Sequence, residues 1–115
     1  MTFKYFDLDE FKCSHTGENK IVPAFVRRLD KLREACNFPF IVTSGYRDPS
    51  HPAEARKSKG GIHTQGMAAD IAVSNGVQRA LIVRYAIELG FNGIGVAKNF
   101  IHVDTREYPL VIWTY

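Results

Sequence analysis

Cysteine is scarce in this chain: Cys13 and Cys36 are the only two in 115 residues. Nothing in the sequence brings them together, which argues against a disulfide-stapled scaffold and for two free thiols. Long apolar runs are missing as well. No stretch approaches the roughly 20 residues needed to cross a bilayer, so no membrane insertion is expected. The opening Met1-Thr2-Phe3-Lys4-Tyr5-Phe6-Asp7 carries an acidic residue early and lacks the apolar segment of a signal peptide. Synthesis in the cytoplasm without a signal peptide is the expectation. There is no internal repeat, low-complexity tract or linker, and no excess of proline, glycine or serine to suggest disorder. Charge of one sign is also in short supply: 15 Lys plus Arg against 12 Asp plus Glu leave a net +3. So mild an excess favours anionic surfaces such as cell wall without naming a partner. The nearest thing to a basic cluster is Arg56, Lys57 and Lys59, which reads as a solvated loop, and nucleic acid is set aside.

What is present is ordinary globular composition, 45% hydrophobic and 23% charged. A chain of 115 residues is the common size of one domain with one core. A single domain over residues 1–115 with one active site is expected, and a monomer.

From Pro23 to Cys36, Val26, Leu29, Leu32 and Cys36 recur at three- and four-residue intervals, with Arg27, Arg28, Asp30, Lys31 and Glu34 between them. That spacing predicts an amphipathic helix with Pro23 in its first turn. Phe40-Ile41-Val42-Thr43-Ser44 is β-branched and aromatic and runs into Gly45, so it reads as a strand ending in a loop. Residues 48 to 66 hold Asp48, Pro49, Pro52, Gly60, Gly61 and Gly66, the turn formers of an ordered loop with one helical turn around Ala53 to Lys57. A loop of that length in a small domain is usually functional.

Met67 to Val73 alternates, with Met67, Ala69, Ile71 and Val73 on one face and Ala68, Asp70 and Ala72 on the other. Gly76 to Gly90 predicts a second helix with an apolar stripe through Val77, Ala80, Leu81, Tyr85 and Leu89 and a stop at Gly90. Strands are expected at Phe91 to Val96, Asn99 to Asp104 and Leu110 to Trp113. This order implies an α+β domain with helices packed on a mostly antiparallel sheet.

In the strand from Asn99 to Asp104, Ile101 and Val103 take the apolar face, which puts Phe100, His102 and Asp104 on the opposite one. By itself such a His and Asp pair is commonly a surface feature. His63 and Asp70 add an imidazole and a carboxylate, donors suited to zinc. With His102 they make two His and one Asp, the pattern of a catalytic zinc with one open position. Hydrolysis of an amide is the matching reaction class. Arg47 follows Ser44-Gly45-Tyr46 at a strand end. There it could hold a carboxylate bidentately, support an oxyanion, or pair with Asp48 on the surface.

These residues resemble the M15 peptidases, zinc-dependent D-Ala-D-Ala carboxypeptidases and L-alanyl-D-glutamate endopeptidases that share a core fold with the hedgehog signalling domain. Ser44-Gly45-Tyr46-Arg47 is similar to the family's SGYR element. Gly61-Ile62-His63-Thr64-Gln65-Gly66-Met67-Ala68-Ala69-Asp70-Ile71 is similar to its SxHxxGxAxD element, and His102-Val103-Asp104 to the closing HxD of a short, phage-like subgroup. Weaker similarity extends to Phe6-Asp7-Leu8-Asp9-Glu10-Phe11 and Gly93-Ile94-Gly95-Val96, in the family's order. The resemblance implies a hedgehog/DD-peptidase-like fold, with zinc held by His63, Asp70 and His102. It also implies that Arg47 orients substrate or stabilises the oxyanion, and that the substrate is a peptidoglycan stem peptide. Its setting would be phage-like: action on the cell wall after release, or within a phage particle.

Two positions depart from the pattern. Gly61 stands where the family usually has Ser, and Asn99 stands where many relatives place a Glu or Asp as general base. Asp104 is then the candidate base, and a role behind His102, orienting the ring, fits it equally. Ser44 and His51 are candidates for substrate contact. Cys13 and His15 fall short of the four ligands of a structural zinc site. Trp113 and Tyr115 suit a cleft wall or core packing alike. The alternative function is a non-catalytic module of the same fold, either zinc-stabilised for binding or part of a phage structure.

Overall fold

Pro23–Cys36 forms helix α1 in the computed structural model of the protein, which describes residues 3–55 and 61–115. Its bounds are those read from the sequence. Pro23 occupies the first turn, where its missing N–H is not needed. Asn37 closes the helix in the left-handed region at φ 56°, its N–H donating to the Arg33 carbonyl. Phe25, Val26, Leu29, Leu32 and Cys36 are buried along one side.

Five strands follow: β1 Val42–Ser44, β2 Ala68–Ala72, β3 Gly93–Val96, β4 Phe100–Asp104 and β5 Val111–Thr114. They form one sheet in the order β1-β2-β4-β3-β5. The β1–β2, β2–β4 and β3–β4 pairs are antiparallel, and β5 joins β3 in parallel, so the mostly antiparallel α+β architecture is realised with one parallel edge. Short helical turns Leu8–Phe11 and Ile62–Gln65, helix α2 Pro52–Ala55 and helix α3 Gly76–Glu88 complete the elements. The turn expected around Ala53 to Lys57 is α2. Gly60 and the basic group Arg56, Lys57 and Lys59 lie outside the described residues.

Strand alternation divides the sheet into two faces. Ala69, Ile71 and Val73, Ile94, and Ile101 and Val103 are buried on one face, in a single cluster with Phe25, Val26, Leu29 and Leu32 of α1 and Ile82 and Ala86 of α3. Both long helices therefore cover one face of the sheet. The other face carries Ala68, Asp70 and Ala72 on β2 and Phe100, His102 and Asp104 on β4.

Helix α3 differs from the expected stripe. Val77 is 71% exposed and Ala80 is also exposed, while Ile82 and Ala86 are the buried positions and Leu81, Tyr85 and Leu89 pack only partly. Apolar residues lie on nearly every side of this helix, so its periodicity does not single out a buried face. Asn75 caps its start, its side chain accepting from the Gln78 N–H, and Gly90 ends it at φ 82°. Cys13 and Cys36 are free and buried, and burial pushes the Cys36 thiol up to about 11. Among the described residues, no helix is long and apolar enough to cross a membrane.

Candidate metal centre

The antiparallel register of β2 and β4 sets Asp70 directly opposite His102. Their side chains rise from the face that the helices leave uncovered, and Asp70 Oδ1 lies 3.1 Å from His102 Nδ1. His63 arrives from outside the sheet, on the turn Ile62–Gln65 that precedes β2. Its Nε2 lies 3.2 Å from His102 Nδ1 and 3.3 Å from Asp70 Oδ1. All three residues are buried.

The protonation of each ring follows from its partner on the far side. His63 Nδ1 is 2.7 Å from the Gly45 carbonyl oxygen, which can only accept, so Nδ1 carries the proton and Nε2 offers its lone pair to the cluster. His102 Nε2 donates to Asp104 Oδ2 at 2.6 Å, leaving Nδ1 to face Asp70 and His63. Donors that hold zinc at about 2.0–2.2 Å in tetrahedral arrangement stand about 3.3–3.5 Å apart. The edges here are 3.1, 3.2 and 3.3 Å, and the donor set is two nitrogens and one carboxylate oxygen. These three residues could hold a metal ion of that kind.

The charges are strongly coupled. Burial would push the Asp70 carboxyl up, but the His102 and His63 rings beside it hold it well below the usual carboxylate range. Burial would push His102 down, yet Asp104 and Asp70 hold it above the ordinary histidine value. Asp104, also pushed up by burial, is held well below the carboxylate range by His102 and Arg106.

Asp104 is fully buried behind His102. Its Oδ1 accepts from the Arg106 backbone N–H at 3.1 Å and from Nε at 2.9 Å, and its Oδ2 accepts from Arg106 Nη2 at 2.7 Å and from His102 Nε2. The carboxylate is saturated and turned away from the side of His102 that faces Asp70 and His63. Asn99 is exposed ahead of β4 and is not among the residues lining the cleft.

Arg47 is held at three points, donating from Nε to Ser44 Oγ at 3.0 Å, from Nη1 to Glu54 Oε2 at 3.1 Å and from Nη2 to Asp70 Oδ2 at 3.2 Å. The surface pair with Asp48 is replaced by these contacts. A β-bulge between Val42 and Ser44 brings Ser44 level with Asp70, the kind of irregularity that re-aims side chains beside a site. Ser44 thus serves Arg47 and is not among the residues lining the cleft. His51 is not on the cleft wall either, because its Nδ1 accepts from the Ala53 N–H at the start of α2.

A cleft of about 350 Å³ opens over the cluster. Arg47, Gly61 and Ile62 lie on its wall together with Arg106, Trp113 and Tyr115. Two glycines on β3 make the latter group possible. A Cβ on Gly93 would lie 2.2 Å from both Asp104 carboxylate oxygens, and one on Gly95 would lie 2.7 Å from Trp113 Nε1. Without those atoms, the carboxylate and the indole lie across β3, and the Trp113 ring centroid comes within 5.1 Å of that of His102. Arg106 stacks on the same indole at 4.9 Å.

Two site residues were not legible beforehand. Glu54 is buried, and its Oε1 accepts from the Gly61 N–H while Oε2 holds Arg47. Its sequence neighbourhood of turn formers carries no sign of this. Arg106 did leave a signal, since it follows Asp104 at the same two-residue spacing, just past the end of β4.

Comparison with known proteins gives one family: the model for peptidase M15 matches residues 4–104, most of the chain and all three cluster residues. No curated protein matches it.

Proposed function

The chain belongs to the M15 peptidase family and is a zinc-dependent metallopeptidase, and on that premise we propose that it hydrolyses an amide bond in peptidoglycan stem peptides. The observation that carries this reading is the triangle of His63 Nε2, Asp70 Oδ1 and His102 Nδ1 at the floor of a cleft. Two imidazoles and one carboxylate are the donor set of a zinc that keeps a position open for chemistry. When bound, zinc supplies Lewis acidity for the scissile carbonyl and for the attacking water.

The remaining residues position and polarise. Gly45 and Asp104 each take the outer N–H of one histidine, which fixes both rings and raises their basicity as ligands. Asp104 is therefore the orienting partner of His102. Arg47, tied to Ser44, Glu54 and Asp70, presents a fixed guanidinium to the cleft, where it stabilises the negative charge developing on the carbonyl oxygen. Arg47 and Arg106 both border the cleft, and a pair of guanidinium groups suits a peptide that carries carboxylates, as stem peptides do.

Incubating purified peptidoglycan with zinc-loaded protein and sequencing the released fragments by mass spectrometry tests the reading. New amino and carboxyl termini within stem peptides are expected from the wild type and not from His63→Ala. A fully zinc-loaded protein that leaves every stem-peptide bond intact contradicts this substrate.

A further inference from the structure

We infer that the aromatic wall on β5 is a saccharide subsite, and that the enzyme acts on the stem-peptide bond next to the glycan, with Tyr115 supplying the stacking surface. The inference rests on the stem-peptide reading and specifies which part of that substrate is recognised. Trp113 of β5 and Tyr115, the residue after that strand, project over Gly95, whose missing Cβ would otherwise lie 2.7 Å from Trp113 Nε1 and 2.9 Å from Tyr115 Cε2. The two rings are thus laid down toward the cluster. They do not play the same part. Trp113 has Arg106 over its ring at 4.9 Å and His102 against it at 5.1 Å, so it is a fixed wall. Tyr115 leans on Phe100 with ring centroids 5.0 Å apart, yet it remains 70% exposed on the cleft wall.

An exposed ring, backed by a second ring at the mouth of a cleft, is a ready apolar platform with a hydroxyl at its edge. Stem peptides are built from alanine, acidic residues and diamino acids, none of which has a large flat side chain to use such a platform. The amino sugar attached to the amino end of the stem does. Its pyranose face can stack on Tyr115 while the first peptide bonds run past His102 toward Arg47. Trp113 lies on β5 and Tyr115 follows that strand, both beyond residue 104 where the family match ends.

The test compares kcat/KM for a disaccharide-tetrapeptide with kcat/KM for the same tetrapeptide without sugar, in the wild type, Tyr115→Ala and Tyr115→Phe. The expected wild-type ratio is about tenfold in favour of the sugar-bearing substrate, the size of one good stacking contact. Tyr115→Ala should bring the ratio close to one, whatever it does to the absolute rates, and Tyr115→Phe should keep it. Cleavage is expected at the first bonds from the sugar. A wild-type ratio near one, or a high ratio that survives Tyr115→Ala, overturns the saccharide subsite while leaving the peptidase reading standing. Failure to cut either substrate overturns the stem-peptide reading and this inference with it.

Discussion

Asp70 and His102 face each other across the β2–β4 ladder, with carboxylate and imidazole 3.1 Å apart. The same transverse row of the sheet continues through Ser44 on β1 and through Gly95 and Trp113 on β3 and β5. One line of side chains across five strands thus supplies two cluster residues, the anchor of Arg47, a glycine gap and an aromatic wall.

Replacing Asp104 separates the two roles considered for it. As the orienting partner of His102, its loss in Asp104→Ala should weaken zinc binding by about 10–100-fold, the usual cost of removing a group behind a metal ligand. Competition with a chromophoric chelator measures that affinity. A base at this position would instead lose turnover with zinc affinity unchanged.

Gly93→Ala should disturb the same interaction from the neighbouring strand. The new Cβ would lie 2.2 Å from both Asp104 oxygens, so the carboxylate must move off His102 or the strands must separate. A stability loss of about 1–3 kcal/mol is expected for such overpacking, together with weaker zinc binding. Denaturant midpoints with and without zinc check both, and an unchanged midpoint contradicts the close approach.

Arg47→Lys keeps the charge and removes the planar fork that reaches Ser44, Glu54 and Asp70. With zinc at saturation, kcat should fall by about 10²–10³-fold, the scale of losing one oxyanion donor. Steady-state kinetics beside metal analysis would reveal it. A variant with full kcat removes Arg47 from the reaction.

Proton linkage should give the metal-stripped protein a stability maximum. Asp70 and Asp104 titrate below their unfolded values of about 3.9. Their ionisation therefore stabilises the fold above that pH, and the contribution is lost as pH falls into acid. His102 titrates above its unfolded value of about 6.5, so its contribution is complete below that pH and lost as pH rises through the folded value. The thermal midpoint in chelator should be highest between about pH 4 and 6.5. Zinc and a proton compete for His102 Nδ1, so excess zinc should remove the alkaline decline. A midpoint in chelator that stays level from neutral to alkaline pH contradicts the coupling of His102 to its two carboxylates.

Much of this site was legible because strand alternation is a local rule. It put Asp70 on one face and Ile71 on the other, and it grouped Phe100, His102 and Asp104 before any tertiary contact was known. Helix α1 was legible for the same reason, its apolar spacing and Pro23 both being local. What escaped depends on how loops close and on which face the sheet covers. The pairing of Asp104 with Arg106 spans two residues and that of Arg47 with Glu54 spans seven, but each needs the turn between the partners to be placed, and the buried face of α3 is chosen by the sheet beneath it. Trp113 could be read as wall or core until the parallel pairing of β5 with β3 set it over Gly95.

The most direct measurement titrates zinc into metal-stripped protein while following the appearance of new termini from a defined muropeptide. The rate should rise in proportion to added zinc and level off at one equivalent, and His102→Ala should stay inactive across the same range. Uptake of one equivalent by the wild type with no cleavage of any stem-peptide bond would contradict the assignment of this site as a peptidoglycan peptidase centre.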